Sequence, residues 1–500
     1  MRIYSEQIAQ SHLNNYLVHL LGMYTWILVA GAINSFFDAC GIGSNDLANS
    51  FGTTYGSKVL TVTQIVILAS IFEFSGALLL GSPVTNTLAG SISNVTFFKA
   101  QPYVLMYGML CALAGSTTWL YTATYLGLPV STTHSIVGGI MGFSLVYKGA
   151  DGVVWMKSIP DFPYVAGVVP IVISWISSPI ITAALSALFY SGIRQFIFKS
   201  TNAVQRSIYF LPPVVFGTVF IESFFILSKG AGSKLTWDVS QTSWVSICVA
   251  TGASLISAAA IPFLKKKVLA LEDAAPIAVT DTSIVPVTTE ALTVKDVSAP
   301  APAPAPAPVT ETALVSVSGP TSTAITEYDP RVEYTFRYLQ IFTSVCTSFA
   351  HGANDVSNAV GPLAAIWYIY QNNAVASKIE VPIWILCLGG AGIVAGLATY
   401  GIKIMEVLGK DITFISPSRG FAAELATALT VSFASKYGLP ISSTQCITGG
   451  VIGISLCDYN LKDLNWKIIG KIFLSWVFTM IITGGISAAI FAQGVYSPNV

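Results

Sequence analysis

Two stretches of this 500-residue chain, beginning 309 positions apart, carry one polar signature inside apolar sequence: Gly43-Ser-Asn-Asp-Leu-Ala-Asn-Ser50 and Gly352-Ala-Asn-Asp-Val-Ser-Asn-Ala359. A second matched pair follows. Gly127-Leu-Pro-Val-Ser-Thr-Thr-His134 answers to Gly438-Leu-Pro-Ile-Ser-Ser-Thr-Gln445, with 85 residues from Asp46 to Ser131 and 87 from Asp355 to Ser442. Ile136 to Leu145 and Ile447 to Leu456 then agree as well. Order, spacing and chemistry repeating together mean an internal duplication. In a membrane chain, duplicated halves with polar, Gly/Pro-broken segments at equivalent places point to a transport site between them.

The chain has to be a membrane chain. Hydrophobic residues make up 53% and charged residues 10%, too few charges for the surface of a soluble protein this long. Of the 48 charges, 15 fall between Lys265 and Arg337. Elsewhere, apolar runs long enough to cross about 30 Å at about 1.5 Å per residue recur. They are Leu17–Phe37, Val59–Leu80, Val104–Tyr125, Val165–Tyr190, Ile208–Leu227, Ser243–Leu264, Ile383–Met405 and Ile468–Phe491, with shorter candidate spans at Tyr338–Phe349, Ala364–Tyr370 and Phe421–Ala434. The apolar stretches starting at Ser135 and Cys446 sit directly behind a Gly-Leu-Pro break and read as half-helices or re-entrant elements. The fold expected is an all-α polytopic membrane protein of about 12 spans, some broken or re-entrant, with two inverted-topology repeats around a midplane site. Residues 1–164 form the first repeat and 334–500 the second. Residues 165–264 are connecting transmembrane helices, and 265–333 a disordered linker holding five Ala-Pro pairs, Ala299 to Pro308,.

Basic residues orient the chain. Lys265, Lys266 and Lys267 abut a span, and Arg194, Lys199 and Arg206 fill a loop without acids, so the linker is expected in the cytoplasm. Asn94-Val-Thr96, in the loop after Leu80, is the one glycosylation sequon. The N-terminal residues lack a charged-then-apolar leader, so a cleaved signal peptide is not expected. The seven cysteines, with no CxxC spacing, read as buried packing residues,.

Four acids lie in apolar surroundings: Asp46, Glu73, Asp355 and Glu424. Each costs roughly 2.5–3.5 kcal/mol at the centre of a lipid-exposed helix, so something must offset them. Arg419 and Lys58 are candidates to pair with two; protons or bound cations could neutralise the rest. Asn45, Asp46, Asn49, Asn354, Asp355 and Asn358, on a non-helical turn, would make a hard-oxygen cage for sodium; polar glue between helices is the plainer alternative. Behind Pro129 and Pro440, Ser131, Thr132 and Thr133, and Ser442, Ser443 and Thr444, stand at helix starts. There, unpaired N–H groups and hydroxyls suit a tetrahedral oxyanion, or simply cap the helix.

Both signatures resemble the duplicated GANDVANA motif of the PiT inorganic phosphate transporters, the sodium- or proton-coupled phosphate permeases. The likeness covers both halves, departing mildly at Ser44, Leu47 and Ser50. It implies that Asp46 and Asp355 are the signature aspartates, Glu73 and Glu424 the two transport glutamates, and Ser131 and Ser442 the paired serines. His351, with Arg419, joins them in coupling or gating. The function implied is secondary active import of inorganic phosphate with sodium, by alternating access, at the plasma membrane. Proton coupling is the near alternative, and a membrane-embedded lipid-phosphate phosphatase a more distant one. No cofactor beyond co-transported sodium, no enzyme activity and no nucleic-acid partner is expected; a homodimer is left open.

Overall fold

The computed structural model describes residues 2–160, 162–230, 237–271, 329–407, 409, 412–457 and 464–497. Most of the linker, including the Ala-Pro repeat, lies outside them. Both ends of the range read as linker are helical, however, since one helix runs on to Leu269 and the next begins at Pro330.

The first half runs α1 (Arg2–Gly56), α2 (Val62–Leu80), α3 (Ser82–Gly90), α4 (Pro102–Leu126), α5 (Thr132–Lys148) and α6 (Val168–Ile193). A small hairpin, β1 (Lys157–Ser158) with β2 (Val165–Ala166), joins α5 to α6. Then come α7 (Ala203–Phe225), α8 (Val239–Ala259) and α9 (Ile261–Leu269). The second half is α10 (Pro330–Asn372), α11 (Ile383–Leu397), α12 (Ile402–Glu406), α13 (Pro417–Lys436), α14 (Ser443–Cys457) and α15 (Trp466–Tyr496). Seven of these helices are long and apolar enough to cross a bilayer. Ile173, Ile176 and Ile180 on α6, and Leu474, Val477 and Ile481 on α15, are half or more exposed. Apolar stripes at that spacing face lipid, not water. The chain is an all-α polytopic integral membrane protein.

Two expectations change here. The signatures do not sit on turns: α1 passes unbroken through Gly43–Ser50 and α10 through Gly352–Ala359, joining the pieces read as Tyr338–Phe349 and Ala364–Tyr370. Glycine, asparagine and aspartate are poor helix formers, but close packing overrides them. A Cβ on Gly43 would lie 2.1 Å from the Ile393 carbonyl oxygen of α11, and one on Gly352 2.1 Å from the Glu73 carbonyl oxygen of α2. Second, of the seven free cysteines only Cys40, Cys111 and Cys446 are buried, and Cys248 is exposed on the apolar surface of α8.

Helices α1 and α10 form the centre, and every residue from Asp38 to Thr54 and from Ala350 to Ile366 is buried. They run antiparallel. Thr25 meets Tyr370 (3.1 Å), Ser35 donates to the Ala359 carbonyl (2.9 Å) and Ser57 to Gln340 Oε1 (2.8 Å), so contacts fall along α10 as they rise along α1. The two halves thus cross the membrane in opposite senses. They also exchange partners. On α5, Cβ atoms at Gly138 and Gly142 would meet the α15 carbonyls of Met480 and Gly484 at 2.6 and 2.2 Å. On α14, Gly449 and Gly453 approach the α6 carbonyls of Pro179 and Ala183 in the same way, at 2.3 and 2.2 Å.

Candidate functional site

The Gly-Leu-Pro breaks behave as their residues require. Gly127 and Gly438 end α4 and α13 with φ of 70° and 67°, a conformation glycine enters without a Cβ clash. The chain reverses, and α5 and α14 start beside the α1–α10 pair. At 17 and 15 residues, they fall short of about 30 Å at about 1.5 Å per residue, as expected of half-helices. Ser131 Oγ accepts from the His134 N–H and Ser442 Oγ from the Gln445 N–H, both at 3.3 Å. Both paired serines therefore act as N-caps here.

The next residues reach across. Asn49 of α1 donates to Ser443 Oγ (3.1 Å) and Thr444 Oγ1 (2.9 Å) of α14. Asn358 of α10 donates to Thr132 Oγ1 (3.1 Å) and Thr133 Oγ1 (3.2 Å) of α5. Thr444 donates to the Val130 carbonyl (3.2 Å) and Thr133 to the Ile441 carbonyl (2.9 Å), so each hairpin fastens the other. Asn45 holds the Val130 N–H on its Oδ1 and donates to the Leu128 carbonyl, both at 3.0 Å. Asn354 donates to the Ile441 carbonyl at 2.8 Å. The duplication seen in the letters is a two-fold relation in space.

The aspartates meet at the middle of it. Thr132 Oγ1 donates to Asp46 Oδ2 (2.9 Å) and Ser443 Oγ to Asp355 Oδ2 (2.7 Å). One ligand atom from each of Asp46, His351 and Asp355 lies within 4.8 Å of the other two, and all three residues are buried. His351 Nε2 is 3.1 Å from Asp355 Oδ2 and 3.6 Å from Asp46 Oδ2, without the alignment for a hydrogen bond to either. Its Nδ1–H donates to Glu73 Oε2 at 2.6 Å. Oδ1 of Asn49, Asn354 and Asn358 is buried with no donor. A buried amide oxygen left so is costly, and oxygens of this kind beside two carboxylates suit a hard monovalent cation.

Glu424 occupies a separate ring nearer the linker-side end of the bundle. Thr53 and Thr54 of α1 donate to it, as do Thr343 and Ser344 of α10 (each 2.8 Å) and Gln340 Nε2 (3.4 Å). All five are neutral. The pairing with Arg419 or Lys58 expected for two of the acids does not form. Arg419 donates to the Phe414 carbonyl and lies over the Tyr190 ring. Lys58 is exposed in the turn after α1, where a cavity of about 630 Å³ is lined by it, Tyr55, Gln64 and Arg337. Asn94 Nδ2, the atom a glycan would take, donates to the Asp151 carbonyl at 3.2 Å, and its Oδ1 accepts from Thr96.

Sequence reasoning missed the hydroxyl ring of Thr53, Thr54, Thr343 and Ser344, although the last two lie three and four residues beyond Gln340 on one helical face. It also missed three buried or half-buried acids. Asp38 faces α4; Glu222 accepts from Ser432 at 2.9 and 2.8 Å; Glu333 holds the start of α13, accepting from the Ser418 N–H at 3.0 Å.

Comparison with known proteins agrees with this geometry. The model of the phosphate transporter family matches residues 42–487. The chain belongs to that family. It is 37% identical to the inorganic phosphate transporter 2-1, chloroplastic, of Arabidopsis thaliana, over 89% of this chain and 68% of that protein. It is 30% identical to the phosphate-repressible phosphate permease pho-4 of Neurospora crassa, over 96% and 99%. A solved structure described as the sodium-dependent phosphate transporter shares its fold with a TM-score of 0.74 and 31% identity, over 93% of this chain and 98% of that one. The chain is thus a transporter-family member, a class distinct from enzymes.

Proposed function

We propose that the protein is a secondary active symporter of the plasma membrane that imports inorganic phosphate with sodium moving down its gradient, by alternating access. The observation that carries this reading is the juxtaposition at the two-fold axis. Three donor-less amide oxygens and two aspartates lie against two helix starts rich in hydroxyls. The oxygens of Asn49, Asn354 and Asn358 with Asp46 and Asp355 take sodium. Asn45, spent on the Gly-Leu-Pro turn, positions rather than ligates. The hydroxyls of Thr132, Thr133, Ser443 and Thr444 turn from the carboxylates to a phosphate held over the α5 and α14 starts, which Ser131 and Ser442 shape.

Cation and anion offset each other's charge, so each raises the other's affinity. Glu73, through His351, links the site to α2, and Glu424 closes the way toward the cavity beside Lys58 and Arg337. The antiparallel α1 and α10 let one exposed state mirror the other. Relatives named sodium-dependent phosphate transporters, including one from Danio rerio at 29% identity, support the choice of sodium.

The test is uptake of labelled phosphate into proteoliposomes with an inward sodium gradient. Replacing sodium by choline should reduce accumulation to the rate of protein-free vesicles. Undiminished uptake driven by a proton gradient alone would overturn the sodium assignment and leave phosphate transport standing.

A further inference from the structure

Asp38 lies on α1, two turns before Asp46, and faces α4 away from the signature site. The equivalent place in the second half is Thr347, so this acid is no part of the duplicated machinery. It is fully buried. A carboxyl at membrane depth is a functional group by default, and its partner must be named.

Thr117 Oγ1 is 3.3 Å from Asp38 Oδ1 and the Ser116 hydroxyl also faces the carboxyl, while Asp38 Oδ2 is buried without a partner. The Thr117 hydroxyl is 2.8 Å from Oδ1 of Asn34, one turn earlier on α1. A threonine hydroxyl has one proton and otherwise accepts. An amide oxygen cannot donate, so at the shorter contact Thr117 gives its proton to Asn34. An ionised Asp38 would then face the Thr117 lone pairs, acceptor against acceptor. A proton on Asp38 Oδ1 removes the conflict: Asp38 O–H donates to Thr117, and Thr117 O–H donates to Asn34, one hydrogen per contact.

The other ionisable groups nearby do not replace that proton. Cys40 on α1 and Tyr121 on α4, with Tyr400 beyond it, are a thiol and two phenols, which never carry positive charge,. Ser116 of α4 accepts from Ser135 and turns its own hydroxyl to Asp38, a neutral donor that does not offset a full buried charge,. Among the described residues, no basic side chain is paired with Asp38.

We propose that Asp38, Thr117 and Asn34 form a proton-binding site between α1 and α4, and that its loading makes phosphate uptake depend on pH. The proton leaves only when water reaches the seam, that is, when α1 parts from α4. Since α1 also carries Asp46, losing the proton and rearranging the signature site are movements of one helix. The link to uptake rests on the symport reading; the proton site itself does not.

Infrared difference spectra of the purified, lipid-reconstituted protein against Asp38→Asn test the site. Asparagine keeps the relay, because its Nδ2–H can donate to Thr117. At neutral pH the wild type should show the C=O stretch of a protonated carboxylic acid that the variant lacks, shifting in D2O. Identical spectra in that region would mean an ionised Asp38, as would follow if the Asn34 amide were reversed and Thr117 gave its proton to Asp38 instead, and would overturn the proposal. Should the variant not fold, Thr117→Val keeps the acid and removes its acceptor, so the band must move; an unmoved band refutes the assignment.

The coupling is read from uptake as a function of pH at matched concentrations of each phosphate species. The ratio of Asp38→Asn to wild-type rate should climb about tenfold per pH unit above the wild type's apparent pKa, because the protonated fraction falls by that factor. A ratio flat across the range overturns the coupling. A wild type that moves no phosphate refutes the symport reading alone, and the infrared result still decides the proton site.

Discussion

Replacing Gly352 with alanine would set a methyl carbon 2.1 Å from the Glu73 carbonyl oxygen and 2.7 Å from the Glu73 Cα. Ordinary carbon contacts lie near 3.5 Å, so the α2 backbone has to retreat by about 1 Å or more. Overpacking of this kind costs about 1–3 kcal/mol. A glycine-to-alanine change inside a helix also gains about 1 kcal/mol of propensity, and a matched control removes that term. Gly470 on α15 has nothing within 4 Å of its ideal Cβ, so Gly470→Ala carries the propensity gain alone. Gly352→Ala should therefore be less stable than Gly470→Ala by about 1–3 kcal/mol. Thermal unfolding of the detergent-solubilised protein, followed by tryptophan fluorescence, reads this as a lower midpoint. The same retreat pulls Glu73 from His351, now 2.6 Å away, and a displacement of about 1 Å in a positioned group can cut a rate by orders of magnitude. Uptake should thus fall about tenfold or more. If the two variants matched in midpoint and in uptake, the claim that backbone contact through these glycines sets the site would be wrong.

Other perturbations follow from the same geometry. Asn49→Ala and Asn358→Ala each remove two hydrogen bonds across the two-fold axis; they should weaken phosphate uptake to similar extents, and very unequal effects would argue against equivalent roles. Glu424→Gln puts an amide N–H₂ among donors that all point inward, so the two or three donors on that oxygen lose their acceptor, at a cost of about 1–3 kcal/mol for each left unpaired, measurable as a lowered unfolding midpoint. Glu333→Ala takes away the carboxylate that holds the Ser418 N–H at the start of α13; a loss of about 1 kcal/mol is expected, with little change in apparent phosphate affinity. Deleting Ala299–Pro308 should leave uptake near wild type, since no proposed site residue lies there.

The parts that could be read directly were those where local chemistry and local structure coincide. Gly127 and Gly438 adopt positive φ, and Pro129 and Pro440 cannot continue a helix, so the hairpins and their capped starts were legible residue by residue. The continuity of α1 and α10 was not, because Gly43 and Gly352 look like breakers until Ile393 and Glu73, hundreds of residues away or on another helix, are seen against them. The acids misled for a related reason. Searching for opposite charge pointed to Arg419 and Lys58, whereas Glu424 is held by neutral hydroxyls from α1 and α10. Asp38 escaped notice because it has no repeat partner, and repetition was the signal being followed.

The exchange of partners between halves has a cost during synthesis. The glycine face of α5, at Gly138 and Gly142, has its cover in Met480 and Gly484, made some 340 residues later. Until the ribosome reaches the final helix, that face must rest against lipid or a chaperone. A chain truncated before α15 should therefore insert yet never close, leaving its first half to the quality-control proteases.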